Sequence, residues 1–517
     1  MIKNKGRWLC RTGALILGCR ALLPVGETAR AESAATKLAL ERDNGPAPQF
    51  TVYQPEVFAA PGALANAWAD FDNDGDLDLA VSFKSGEVRL YRNDRGSFSN
   101  VGATLGLPTQ GDEVRGLSWG DYDADGFLDL YAGTRKVPIA SRNLLYRNDA
   151  GRGFVEVAEA AGVAMPGVSS RQSNWIDYDN DGDLDLFVAN RIGENGLFRN
   201  DGGKFVSVAK ELGLADVRRS VGACWFDMDQ DGDLDVFVAN QEGDKDALYR
   251  NDGGRFTDVA PELNMDQPQR RLAEGGVGCT VGDYDNDGDL DLFVASYGLN
   301  LLYRNDGGGR FVDVARELGI TERGLAVAAS WGDYDLDGLL DLYIAGYVRG
   351  ANGLEPKDLL LRNTGHGFVN VIAATDVLNH ADHGVQWADF DGDGDLDLSL
   401  TDSRDAGRHW VLKNEVARRD APRSLQVTVL DRQGRHSRAG AEVRLFDAAG
   451  KVLGTRLVTT GEGYDSQSVQ PVHFGLPRTE RVTVEVTFLG PAGRTRQYVR
   501  NVDPARFAGS SLVVRQN

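Results

Sequence analysis

The chain of 517 residues is 42% hydrophobic and 26% charged, a globular balance that excludes a disordered chain. No run of about 18 uninterrupted apolar residues occurs, which argues against a membrane-spanning helix. Acidic residues outnumber basic ones by 77 to 56, a net charge of −21 that speaks against nucleic-acid binding through phosphates, and four cysteines are too few for a disulfide framework.

Residues 1–31 carry Lys3, Lys5, Arg7, Arg11, Arg20 and Arg30 against one acidic residue, Glu27. An apolar run from Ala14 to Val25 and the Ala29-Arg30-Ala31 site predict a secretory signal cut after Ala31. Ile16-Leu17-Gly18 ahead of Cys19 is a poorer fit to a lipoprotein signal. Residues 32–47 are expected to be a flexible leader. Cys224 and Cys279 remain after cleavage, three and four residues ahead of equivalent aspartates. Strand alternation would aim them at opposite faces, so two buried free thiols are expected.

From Asp70 onward the pattern D-x-D-x-D-G-x-x-D occurs seven times, at spacings of 50 to 56 residues. In six copies a tryptophan stands two residues ahead of it: Trp68, Trp119, Trp175, Trp225, Trp331 and Trp387, with Val281 in copy five. Each copy continues as a short apolar strand such as Leu184-Asp185-Leu186-Phe187-Val188-Ala189. A hairpin signal follows, as in Tyr249-Arg250-Asn251-Asp252-Gly253-Gly254-Arg255-Phe256, where Asn-Asp-Gly-Gly supplies left-handed turn positions. Four antiparallel strands per copy, repeated seven times, predict a seven-bladed β-propeller over residues 48–417. Copy seven stops after Leu412-Lys413-Asn414-Glu415, while an unpaired Phe50-Thr51-Val52-Tyr53 stands at the other end. That segment is expected to supply the missing strand and close the ring.

Beyond a linker at 418–422 the repeat ends and the charge reverses. Residues 423–517 hold fourteen basic and eight acidic residues, net +6, against about −32 over residues 32–422. Alternation in Leu425-Gln426-Val427-Thr428-Val429 and Val482-Thr483-Val484-Glu485-Val486 predicts a second, smaller β-sandwich, so the fold class is all-β.

The acidic loops are expected to bind Ca²⁺, about seven ions in all. Carboxylates at positions 1, 3 and 5 converge only if the loop curls tightly, which Gly at position 6 permits. Position 7 would offer a backbone carbonyl and Asp at position 9 would close an all-oxygen shell suited to a hard cation. The ligand positions are Asp70, Asp72, Asp74, Asp76 and Asp78; Asp121, Asp123, Asp125, Phe127 and Asp129; Asp177, Asp179, Asp181, Asp183 and Asp185; and Asp227, Asp229, Asp231, Asp233 and Asp235. The last three loops contribute Asp283, Asp285, Asp287, Asp289 and Asp291; Asp333, Asp335, Asp337, Leu339 and Asp341; and Asp389, Asp391, Asp393, Asp395 and Asp397. Phe127 and Leu339 fit a position that uses only its main chain. An EF-hand is excluded, because position 12 of the first loop is Val81 rather than Glu and its flank is strand-like.

The W-x-D-x-D-x-D-G-x-x-D pattern resembles the FG-GAP/VCBS repeat of integrin-α-type seven-bladed propellers. The tail resembles the ASPIC/UnbV module in Ala439-Gly440-Ala441-Glu442-Val443, Gly461-Glu462-Gly463-Tyr464-Asp465-Ser466-Gln467-Ser468 and His473-Phe474-Gly475-Leu476. The resemblance implies secretion and calcium binding and transfers no catalytic residue. Asn379-His380-Ala381-Asp382-His383 reads as a polar loop rather than a transition-metal site, and packing or turn roles are expected for Tyr464 and His473. No G-x-S-x-G, H-E-x-x-H or phosphate loop occurs. The expectation is a secreted, monomeric, non-enzymatic binding or adhesion module. Its partner, a protein or glycan, would meet the face of long, dissimilar connections (Arg135 to Arg142, Gln267 to Gly276, Tyr347 to Asp358). The alternative is an extracellular carbohydrate-active enzyme, such as a polysaccharide lyase, on the same scaffold.

Overall fold

A computed structural model describes residues 47–517 apart from 136–140, 321–322, 348–357, 373–377, 379–382, 405–406, 417–422 and 479. The signal, the leader up to residue 46, the linker, His380 and most of the connections Arg135 to Arg142 and Tyr347 to Asp358 therefore lie outside the described residues. Seven radial sheets follow one another. Blade one is Ala63–Ala69, Asp78–Phe83, Val88–Asp94 and Ser97–Asn100, innermost to outermost. Blades two to six repeat this order. Blade seven takes Val385–Ala388, Asp397–Thr401 and His409–Asn414 from its own copy and Phe50–Val52 from the start of the propeller. Phe50 pairs with Asn414 and Val52 with Leu412, and the Phe50 ring sits 6.2 Å from Trp387. Sheets five and six are further joined where Tyr297–Leu299 pairs with Arg323–Leu325.

The tryptophans form the wall between blades. Trp175 lies over Gly120 of the preceding blade, where a Cβ would stand 2.5 Å from the indole, and Trp387 lies over Gly332 in the same way. The exception at Val281 has its counterpart in blade four. There Phe226 stands where five of the other blades have Ala or Gly, and it shares an apolar cluster with Val281. Large-on-small has become small-on-large at nearly constant volume, the kind of swap close-packed interiors tolerate.

Cys224 and Cys279 are not free thiols: they form a disulfide, with Cα atoms 6.1 Å apart. Blades pack front to back. Residues on opposite faces of equivalent strands in neighbouring blades therefore point at each other across the interface, where the expectation of free thiols had them diverge.

The C-terminal module packs two sheets over one apolar cluster that includes Val427, Val443, Val484 and Phe474. One sheet holds Val472–Gly475, Ser424–Leu430 and Ser511–Arg515; the other holds Val452–Leu457, Glu442–Phe446, Val482–Phe488 and Thr495–Val502. Its segment Thr459–Gln470 leaves the sandwich and enters the centre of the propeller. The innermost strands of radial sheets turn an unpaired edge toward the channel, and buried backbone groups demand partners. The segment supplies them. Val469 N–H donates to the Trp68 carbonyl (2.8 Å), Leu117 N–H to Asp465 (3.0 Å) and Gly463 N–H to Ala329 (3.2 Å). Gln467 brackets the Trp175 backbone at 2.7 and 3.0 Å, Thr460 Oγ1 brackets that of Trp225 at 3.3 and 2.6 Å, and Gln470 donates to Trp387 at 2.8 Å. Six of the seven blades are tied to one segment of the module.

Candidate metal loops and the surface that covers them

Each acidic loop leaves an innermost strand and returns into the second strand of its blade. In the first loop Asp70 accepts from the N–H groups of Asp74 (3.1 Å) and Gly75 (3.0 Å), which curls the chain as expected. A second left-handed residue accompanies the glycine. Position 4 has φ of 59° at Asn73, 60° at Ala124 and 60° at Leu336, although none of these is glycine. Holding such residues there costs energy that the surroundings must offset, a mark of a functional loop. Three of these side chains also lace the loops together: Asn73, Asn180 and Asn286 each donate to the carbonyl of position 6 in the next blade.

The curl brings positions 1, 3 and 9 together. One carboxylate oxygen from each lies within 4.8 Å of the others in Asp70/Asp72/Asp78, Asp121/Asp123/Asp129, Asp177/Asp179/Asp185, Asp227/Asp229/Asp235 and Asp283/Asp285/Asp291. Position 5 turns one oxygen to the N–H of position 7, as Asp74 does toward Asp76 at 2.9 Å. Side chains at position 7 serve the neighbouring hairpin or blade instead: Asp76 accepts from Arg95 N–H and Asp233 from Gly253 N–H.

Position 9 is the most deeply set. Asp78 accepts from Phe71 N–H (3.1 Å) and Asn93 N–H (2.8 Å) and is fully buried. Burial pushes its carboxyl up to about 8, and those of Asp129 and Asp185 up to about 9, with neighbouring aspartates adding to the rise. At position 1 burial likewise raises Asp70 and Asp121 to about 6 and Asp283 and Asp389 to about 7. Carboxylates so gathered and desolvated repel one another unless a cation stands among them. The donor set fits one: Asp72 Oδ1, Asp123 Oδ1, Asp179 Oδ1, Asp229 Oδ1 and Asp335 Oδ1, all at position 3, are buried and accept no hydrogen bond. Oxygen-only, aspartate-rich ligation selects a hard divalent ion.

The hairpin asparagine, read from sequence as a turn former, is a clasp. Asn93 Nδ2 donates to the Leu77 carbonyl beside Asp78 and, at 2.8 Å, to the Phe390 carbonyl of the preceding blade, while its Oδ1 accepts from Gly96 N–H. Asn148, Asn200, Asn251, Asn305, Asn363 and Asn414 make the same link, so the chain of clasps closes round the ring. Its signal was the strict Arg/Lys-Asn pair in every copy, at a position where any turn former would serve a hairpin.

The basic module lies against the acidic loops. Arg494 Nη1 stands 2.6 Å from Asp227 Oδ2 and Arg438 Nη1 3.3 Å from Asp177 Oδ2. Arg444 donates to the Gly288 carbonyl, Gln426 donates to Asp389, and His473 Nε2 lies 3.0 Å from the Gly394 carbonyl. In loop three the guanidinium takes Oδ2 of Asp177 and leaves Oδ1, which accepts no hydrogen bond, facing the cluster. A cavity of about 110 Å³ between module and blades five to seven is lined by Thr280, Trp331, Asp333, Asp389, Arg456 and His473 among others. His383, the described member of the polar loop ahead of blade seven, meets Tyr464 edge-on.

Repeat, loop and docked module are matched by family models. Residues 46–132, 177–238, 227–294 and 283–344 match the FG-GAP-like repeat, and residues 432–509 match ASPIC and UnbV. The chain carries FG-GAP-like repeats joined to an ASPIC and UnbV module. Cartilage acidic protein 1 of Mus musculus is 24% identical over 486 residues, covering 85% of this chain and 74% of that protein. The Homo sapiens protein is 23% identical over 487 residues, covering 85% and 72%. Among solved structures, an Agrocybe aegerita lectin that recognises non-reducing terminal N-acetylglucosamine aligns with 17% identity and a TM-score of 0.38, over 61% of this chain and 81% of its own. Among the described residues no helix is long and apolar enough to cross a membrane.

Proposed function

We propose that this FG-GAP and ASPIC/UnbV protein is a secreted, calcium-loaded binding module without catalytic activity, whose partner, a protein or glycan, docks on the face opposite the acidic loops. The observation that carries the reading is the position of the module. It occupies the acidic-loop side and the channel, which leaves the opposite connections as the broad surface available to a partner. Exposed apolar residues stand at that end: Ile192 and Leu299 as the last residues of second strands, Val217 and Leu272 in the connections, with Leu272 78% exposed. Variable loops on a rigid scaffold are where recognition usually resides. The Cys224–Cys279 disulfide suits an oxidising compartment, in keeping with the predicted signal. About seven Ca²⁺ would then be structural, one per loop.

A glycan array together with capture from the native secretome, in calcium and in EDTA, tests the reading. The double variant Val217→Asp/Leu272→Asp is expected to lose the partner, whereas Val513→Asp on the module is expected to keep it. Capture that survives EDTA and the double variant alike would contradict it.

A further inference from the structure

The end of the channel away from the acidic loops carries a constellation with no part in metal ligation. Glu113 and Arg115 stand at the start of the innermost strand of blade two, Val114–Gly120, and Arg135 follows the second strand, Asp129–Thr134. Tyr297 lies near the end of Asp291–Leu299 in blade five, Tyr347 follows Asp341–Gly346 in blade six, and His383 precedes Val385–Ala388 in blade seven. Four blades thus bring these side chains to one mouth, where Tyr464 of the inserted segment meets them. The half-buried Tyr297 and Tyr347 rings stack at 6.0 Å and 24°. His383 meets Tyr347 edge-on at 5.6 Å and Tyr464 at 4.9 Å. Arg115 Nη1 lies 3.1 Å from His383 Nε2. Glu113 is shared by two guanidiniums, those of Arg115 and Arg135, the latter at 3.0 Å. The trio keeps a net positive charge, and Arg115 Nε is buried without a hydrogen-bond partner.

We propose that this mouth binds an oligosaccharide containing a uronic acid, with Tyr297 and Tyr347 as the stacking platform and Arg115 and Arg135 as the carboxylate clamp. The proposal rests on the reading that the face opposite the acidic loops is the binding face, and it names the ligand class. Aromatic faces carry negative charge and attract the C–H bonds of a pyranose ring laid across them. Rigid, mutually stacked tyrosines give contact area at little entropic cost. A guanidinium fork matches a carboxylate in geometry as well as charge. On a chain of net charge −21, a spot where guanidiniums outnumber carboxylates favours an acidic sugar. A protein partner would favour the exposed aliphatic residues farther out; the mouth itself offers stacked rings and polar groups.

The test is calorimetric titration of the calcium-loaded protein with tetramers of galacturonate, glucuronate and mannuronate, and with a glucose tetramer. At least one uronate tetramer is expected to bind about ten-fold or more tightly than the glucose tetramer. Tyr297→Ala and Tyr347→Ala should each weaken that binding about ten-fold, Tyr347→Phe should retain it, and Arg135→Gln should shrink the acidic-over-neutral preference about five-fold. Melting temperature and bound calcium should stay constant throughout. No binding of any uronate tetramer, or binding unchanged in both tyrosine-to-alanine variants, overturns the proposal. Secretome capture on the same variants separates the two levels. A partner that the parent captures and the Val217→Asp/Leu272→Asp variant loses, with no uronate bound, sinks the sugar site alone; capture that survives that double variant and EDTA sinks the reading beneath it.

Discussion

The propeller and the module reach order by opposite routes. The module is an ordinary sandwich whose aliphatic core does the work and whose net +6 includes arginines turned onto the acidic loops. The propeller carries about −32, concentrates 33 of the chain's 77 acidic residues in seven loops, and buries many of those carboxylates. It gains cohesion from links between blades: tryptophans over glycines, a ring of asparagine clasps, a disulfide and the position-4 laces. The comparison teaches that neither region is self-sufficient. The propeller leaves a channel edge of unpaired backbone and a field of negative charge, and the module answers both, with Thr459–Gln470 in the channel and arginines on the loops.

The strongest way to break that complementarity is to replace Thr459–Gln470 by a short Gly/Ser turn. The sandwich keeps its core, but the channel loses partners on six blades. We expect aggregation or loss of the cooperative melt, read by light scattering and calorimetry; a monomeric protein with an unchanged melt would show that the two regions are independent. Next comes deletion of residues 32–54, which removes the strand Phe50–Val52 and bares the edge at Leu412–Asn414. Marked destabilisation is expected, whereas deletion of 32–46 should be nearly silent.

A single clasp gives a smaller, sharper effect. Asn251 is fully buried, donates to the carbonyls of Tyr178 and Leu234 and accepts from Gly254 N–H. Asn251→Leu strands these groups and should cost about 3 kcal/mol in urea unfolding. Removing the exposed Val513 side chain of the module should cost less than about 0.5 kcal/mol. A pH term comes from His409, buried in blade seven against Phe58 and hydrogen-bonded to Ser399. Burial lowers its imidazole to about 3 from the ordinary 6.5. The unfolded chain therefore takes up this proton first. The contribution is complete above pH 6.5 and is lost as pH falls toward 3, about 2 kcal/mol by pH 5. His409→Phe should be less sensitive than the parent between pH 7 and pH 5 by that amount.

The repeat, its four strands and the strand donated by Phe50–Val52 were legible because hydrophobic period and turn chemistry recur at a fixed spacing. The convergence of positions 1, 3 and 9 was legible for the same reason. What escaped was everything that depends on one blade meeting the next. Alternation along a strand says which face Cys224 occupies, not that this face meets Cys279 of the following blade. The Asn of Arg-Asn-Asp looked like a turn residue because its second partner, such as Phe390 for Asn93, is distant in the chain. Thr460, Asp465, Ser466, Gln467 and Ser468 have the composition of an exposed turn, and all are buried, because their burial is created by the channel they enter.

The central claim is that the acidic loops are cation sites on which the propeller depends. Native mass spectrometry of the calcium-loaded protein, paired with calorimetric melts before and after EDTA, tests it most directly. The account predicts about seven bound Ca²⁺ and a melting temperature that drops sharply on chelation and recovers when calcium is restored. A protein that carries no calcium, or one whose melt is unchanged in EDTA, would contradict it.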